Sequence, residues 1–99
     1  MLLIVGTVRL PPRNLAAARP AMRRMVEASR AEVGCLLYVY AEDLFDPGLI
    51  HVKEVWEDQA ALYRHSEAPH LIEWRAAWEA LGIGDRHLTA YDVGEGRPL

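Results

Sequence analysis

The stretch from Cys35 to Trp56 leaves this chain few ways to fold. Cys35 to Ala41 and Leu49 to Trp56 are runs of alternating side chains, and Asp46-Pro47-Gly48 stands between them. Proline fixes φ, glycine supplies a positive φ and aspartate hydrogen-bonds its own backbone, so the tripeptide is a turn and the runs form an antiparallel hairpin. In the first strand Leu36, Tyr38 and Tyr40 share one face, and Cys35, Leu37, Val39 and Ala41 share the other. In the second, Ile50, Val52, Glu54 and Trp56 oppose His51, Lys53, Val55 and Glu57. Apolar side chains stand on both faces of the first strand. Helices can cover one face of such a sheet, and the other then needs a separate cover.

The flanking segments supply two more strands and the helices. Residues 2 to 10 alternate, with Leu2, Ile4, Gly6, Val8 and Leu10 on one face, and Pro11-Pro12 ends the run. A helix is expected within 14 to 31, with Asn14 as N-cap and a buried stripe of Leu15, Ala18, Met22, Met25, Val26 and Ser29. Pro20 conflicts with it, because an interior proline costs ~3 kcal/mol, and the first turns are expected to be irregular. Gly34 can adopt the positive φ that closes this helix. Asp58 caps a short helix over 59 to 65, Ser66 to Pro69 is a break, and a helix from Pro69 to Leu81 buries Leu71, Trp74, Trp78 and Leu81. Residues 86 to 93 give a last strand and 94 to 99 a tail. The order β-α-β-β-α-β is the ferredoxin-like α+β arrangement: a four-stranded antiparallel sheet with both helical segments on one face. A second copy of the chain against the other face would make a two-fold dimer.

Composition narrows the function classes. Ninety-nine residues make one domain, 1–99, whose 52% hydrophobic content is that of a folded protein. With 11 basic and 14 acidic residues, the charge is -3, and the arginines of the first helix are interleaved with apolar residues. Nucleic acid is therefore not an expected partner. A single cysteine, Cys35, excludes an internal disulfide. The apolar N-terminus is too short for a membrane span and lacks a cleavage pattern, so a cytoplasmic protein without membrane contact is expected.

Ionisable and aromatic groups concentrate between Glu54 and His70. Glu54 stands among apolar neighbours, which either raises its pKa or requires a partner. His65 and His70 would diverge by ~140° on one continuous helix, but the break at Ser66 to Pro69 permits them to converge. Two histidines and Glu54 could also form a facial metal triad, although the i, i+5 spacing is no ligand signature. Tyr38, Trp56, Trp74 and Trp78 offer walls for an apolar slot. Each tryptophan taken alone is better explained as a core side chain; together with Tyr38 they make an aromatic pocket.

Several words of the chain, in order and at these spacings, resemble the antibiotic biosynthesis monooxygenase domain family. They are Glu32-Val33-Gly34-Cys35-Leu36-Leu37-Tyr38, Asp46-Pro47, Glu54-Val55-Trp56-Glu57-Asp58, Ala61-Leu62 with His65, and Pro69-His70. The resemblance spans roughly residues 2 to 93 and implies a dimeric α+β barrel. It implies oxygenation of small quinol- or anthrone-like aromatic compounds by O2 with no cofactor, neither metal nor flavin. His65 or His70 is then the expected base, with Glu54 orienting it and Tyr38 and Trp56 holding the ring under a lid carrying Trp74 and Trp78. The family's haem-degrading branch is matched least, since Thr7 stands near the position of its first-strand asparagine. Isomerisation of a small carbonyl or sugar-phosphate compound, or ligand binding without catalysis, are the rival expectations.

Overall fold

The structure, a computed structural model, describes residues 1–99. The chain forms β1 (Leu2–Arg9), a 3-10 turn (Pro12–Asn14), α1 (Leu15–Arg30), β2 (Cys35–Glu42), β3 (Leu49–Trp56), α2 (Gln59–Ser66), α3 (Pro69–Ala76), α4 (Trp78–Leu81) and β4 (Gly84–Asp92). The strands lie in the order β2-β3-β1-β4, and every neighbouring pair is antiparallel. This is the expected ferredoxin-like α+β sheet, with the hairpin β2–β3 as one half.

The helix-covered face holds the core. Leu2, Ile4, Val8 and Leu10, Tyr38, and Ile50, Val52 and Trp56 are buried there. All six residues of the α1 stripe, Leu15, Ala18, Met22, Met25, Val26 and Ser29, are buried against it. Each large apolar side chain of that stripe contributes ~1.5–3 kcal/mol of transfer free energy. Together they outweigh Pro20, which is exposed in an otherwise continuous α-helix. The irregularity falls earlier, in the 3-10 turn. Asn14 makes no side-chain cap; its amide instead donates to the Leu81 carbonyl at 2.8 Å and ties the start of α1 to the end of α4.

Three local expectations are corrected. The helix read as 69 to 81 divides at Ala77, whose N–H is shared between the Glu73 and Trp74 carbonyls. The last strand begins at Gly84 and ends at Asp92. In β2 the register shifts between Cys35 and Leu37, so Leu36 bulges out and is exposed while Cys35 packs against the core. One extra residue in a strand has this effect, reversing the alternation on its far side. Burial raises the Cys35 thiol pKa, which makes it a poor nucleophile.

The smallest extent of the molecule is 19 Å, room for the sheet and one helical layer. The second face of the sheet is therefore open. It presents Leu37, Val39, Val55 and Tyr91 beside His51 and His87, which pair with Asp43 and Asp85 at 2.7 Å each. No helix is long and apolar enough to cross a membrane.

Gly6 sets the fit of β1 against β4. A Cβ there would stand 1.8 Å from the carbonyl oxygen of His87, beside the register shift between Thr7 and Arg9. Gly6→Ala must push β4 away, and overpacking of this kind costs ~1–3 kcal/mol or more. A thermal melt should show a loss of about 4–8 °C per kcal/mol for a domain of this size. An unchanged melting temperature would show that the strands separate without cost.

Candidate active site

Under the helices, the sheet forms the floor of a small cavity of about 90 Å³. Tyr38, Tyr40 and Glu54 rise from β2 and β3, His65 descends from α2, and Trp78 closes one side. The alternation of the hairpin puts Tyr38 and Glu54 directly opposite each other across the β2–β3 pair.

His65 is held at both ring nitrogens. It is 4% exposed, its Nδ1 lies 2.5 Å from Glu32 Oε2, and its Nε2 lies 3.3 Å from the Tyr38 hydroxyl. An ionised Glu32 only accepts, so Nδ1 carries the proton and Nε2 keeps its lone pair on the Tyr38 side. Burial raises the Tyr38 pKa, so its hydroxyl stays protonated and can donate. Trp56 packs against His65 with ring centres 4.6 Å apart and edge-on to Tyr38 at 6.2 Å. The imidazole is thus fixed by packing as well as by hydrogen bonds.

Glu32 sits just past the end of α1. Gly34, with φ +87°, turns the chain there, and a Cβ at that position would approach the Ala61 Cβ to 2.6 Å. Its close packing on α2 brings Glu32 to His65. Glu32 Oε2 also meets His70 Nε2 at 3.1 Å, and the two imidazole centres are 6.1 Å apart. The break between Ser66 and Pro69 is what lets the histidines converge. They converge on Glu32, and not on Glu54 as the sequence suggested. Glu32 belonged to the first word of the family resemblance; its position before Gly34, at a corner where the helix must end, was the available signal.

Glu54 plays a different part in the geometry. It is buried, and its Oε1 accepts the Trp56 indole N–H at 2.9 Å. Burial raises its pKa, while the Trp56 hydrogen bond and the positive charges of Arg86 and Arg75 act in the opposite direction. Folding therefore disfavours the ionised form. Below the ordinary value of 4.5 both states are protonated and the effect vanishes; as pH rises past it, ionisation progressively costs the folded state stability. Glu54→Gln keeps an acceptor for Trp56 without the charge. Its melting temperature should exceed wild type at about pH 8 and converge with it in acid. A lower melting temperature at both pH values would show that the ionised carboxylate is stabilising.

The remaining predicted residues divide. Trp78 and Tyr38 line the cavity. Trp56 is fully buried behind it, and Trp74 packs edge-on between Tyr40 and Trp78 at 6.2 Å from each. His70 and Trp74 line a separate groove of about 240 Å³ between α1 and α3. Tyr40, Arg75 and Arg86 reach the cavity unpredicted. The Glu32, His65 and His70 ligand atoms lie within 4.8 Å of one another, a donor set able to hold a divalent transition ion.

The comparisons with known proteins agree with this architecture. A protein from Deinococcus radiodurans attributed to the antibiotic biosynthesis monooxygenases superposes with a TM-score of 0.91 at 31% identity, over 100% of this chain and 98% of that one. The Pseudomonas aeruginosa protein PA3566 superposes with a TM-score of 0.78 at 29% identity, over 97% of this chain and 94% of that one. An uncharacterised protein of Synechocystis is 27% identical over 98 residues, which is 99% of this chain and 67% of that protein. The antibiotic biosynthesis monooxygenase family profile matches residues 1–77, from β1 into the end of α3. The chain belongs to the antibiotic biosynthesis monooxygenase family.

Proposed function

We propose that this protein is a monooxygenase that inserts oxygen from O2 into a small quinol-like ring without metal or flavin. The observation that carries the reading is the buried His65, with Nδ1 on Glu32 and an unprotonated Nε2 beside the Tyr38 hydroxyl where His65 lines the cavity. A base at that position removes a phenolic proton from a hydroquinone. The resulting anion transfers one electron to O2, and the semiquinone and superoxide recombine at a ring carbon as a peroxide. Protonation and O–O cleavage release water and leave a hydroxyquinone, so hydroquinone plus O2 gives hydroxyquinone plus H2O. The electrons come from the substrate. Tyr38 and Trp78 contact the ring, while Trp56 and Trp74 stiffen the wall behind them. The enclosed space, about 90 Å³, is below the ~150 Å³ cavity known to hold benzene. It favours one ring over the three of an anthrone and requires the cavity wall to give as the ring enters.

The test is oxygen uptake with substituted hydroquinones by chelator-treated protein. Turnover that persists in chelator supports the reading. Turnover that appears only with an added divalent ion would move the chemistry to Glu32, His65 and His70 as ligands. Product formation unchanged without O2 would assign an isomerase. We further infer that a second copy covers the open sheet face. The apolar Leu37, Val39 and Val55 there support it, and sedimentation that returns a monomer would refute it.

A further inference from the structure

The rim of the cavity carries two cations with no counter-charge. Arg75 comes from α3 above the cavity, and Arg86 comes from β4 at its floor. Of the other exposed arginines, Arg9 meets Asp46 at 2.8 Å, Arg19 meets Glu42 at 2.9 Å and Arg23 meets Glu27 at 3.0 Å; Arg13, Arg24, Arg64 and Arg97 form no salt bridge either, but none of them lines the cavity. Arg75 and Arg86 form no salt bridge. Arg75 instead lies over the Trp78 ring, 4.7 Å from its centre, which holds the guanidinium in place against the aromatic wall.

The cavity's own carboxylate does not neutralise them. Glu54 is 5% exposed, is occupied by the Trp56 N–H and is pushed towards its neutral form by burial. Glu32, the other nearby acid, is shared by His65 and His70. The Trp78 indole N–H is buried without an acceptor. The rim thus carries positive charge, in a chain whose net charge is -3. An arginine left unpaired beside a buried carboxyl is a local preference for an anion from outside.

We propose that Arg75 and Arg86 form a subsite for an anionic substituent, so that the preferred ligand is an aromatic acid: a dihydroxy ring bearing a carboxylate. The proposal rests on the quinol reading for the ring and adds the acid group. A carboxylate is the anion of choice because its planar pair of oxygens matches the guanidinium fork, and the small enclosed volume leaves the acid group at the rim where the two arginines stand.

Anaerobic calorimetry separates this from the oxygenase reading, because it needs no turnover. The probes are 2,5-dihydroxybenzoate and 2,5-dihydroxybenzamide, which have the same shape and differ in charge. The acid should bind roughly tenfold tighter or more, the gain of one charge-assisted hydrogen bond. That preference should fall with added salt and collapse in the Arg75→Gln/Arg86→Gln variant, which disturbs no ion pair. Equal affinity for the two probes, no binding of either, or a preference that survives in the double variant would overturn the subsite. Inorganic phosphate binding more tightly than the acid would overturn the aromatic acid in favour of a phosphorylated ligand. Preferential binding of the acid without oxygen uptake in air would leave the subsite standing and remove the oxygenase.

Discussion

His65→Asn should lower oxygen uptake by about 10²–10⁴-fold, the usual contribution of a positioned general base, while the protein stays folded. Asparagine places an amide N–H near the position of Nδ1, so the contact with Glu32 at 2.5 Å can persist. What is lost is the lone pair on Nε2, the nitrogen 3.3 Å from the Tyr38 hydroxyl. His65→Ala is a poorer test, since it would also leave a hole beside Trp56, whose ring is 4.6 Å away, and leave half-buried Glu32 with His70 as its one imidazole partner. Oxygen uptake, circular dichroism and the melting curve together decide the matter. A folded His65→Asn protein at wild-type rate would assign His65 to structure, as one more satisfied core histidine.

The hairpin, the helix stripes and the break before Pro69 were legible because each rests on short-range rules. Proline and glycine at the turn, period-2 alternation and i, i+3 spacing state where Tyr38, Glu54 and Trp56 face without reference to any distant residue. The partner of His65 was not legible in that way. Glu32 is 33 residues from His65 and 38 from His70 along the chain, and the contact exists only because Gly34 packs on Ala61. Alternation also could not separate wall from backing. It put Glu54 and Trp56 on the same face, but Glu54 lines the cavity while Trp56 is fully buried behind it with its N–H on Glu54, a division that only the covering helices determine. The bulge at Leu36 escaped for a related reason: nothing in the run from Cys35 to Tyr38 breaks the alternation, and the shift shows only in the pairing with Trp56 and Val55.

Glu32→Gln should cost activity on a scale close to that of His65→Asn, about 10²–10⁴-fold. One oxygen of Glu32 accepts from both imidazoles, so its charge fixes the Nδ1–H tautomer of His65 and would stabilise the imidazolium formed when Nε2 takes the substrate's proton. The amide of glutamine can turn either way. In one orientation its N–H faces Nδ1, which forces the proton to Nε2 and removes the base. Nitrogen-15 NMR of His65 reads this directly: wild type should show a single Nδ1–H tautomer, and Glu32→Gln should show the Nε2–H form populated. The variant should also discriminate between base and ligand. If Glu32 and the histidines served only to hold a metal, chelator-treated wild type would already be inactive and Glu32→Gln would add nothing to the loss. If Glu32 were only a structural link between the α1 corner and α2, the melting temperature would fall while the rate per folded molecule stayed that of wild type. A large rate loss with the tautomer shifted and the fold retained is the outcome that assigns Glu32 as the residue positioning the base.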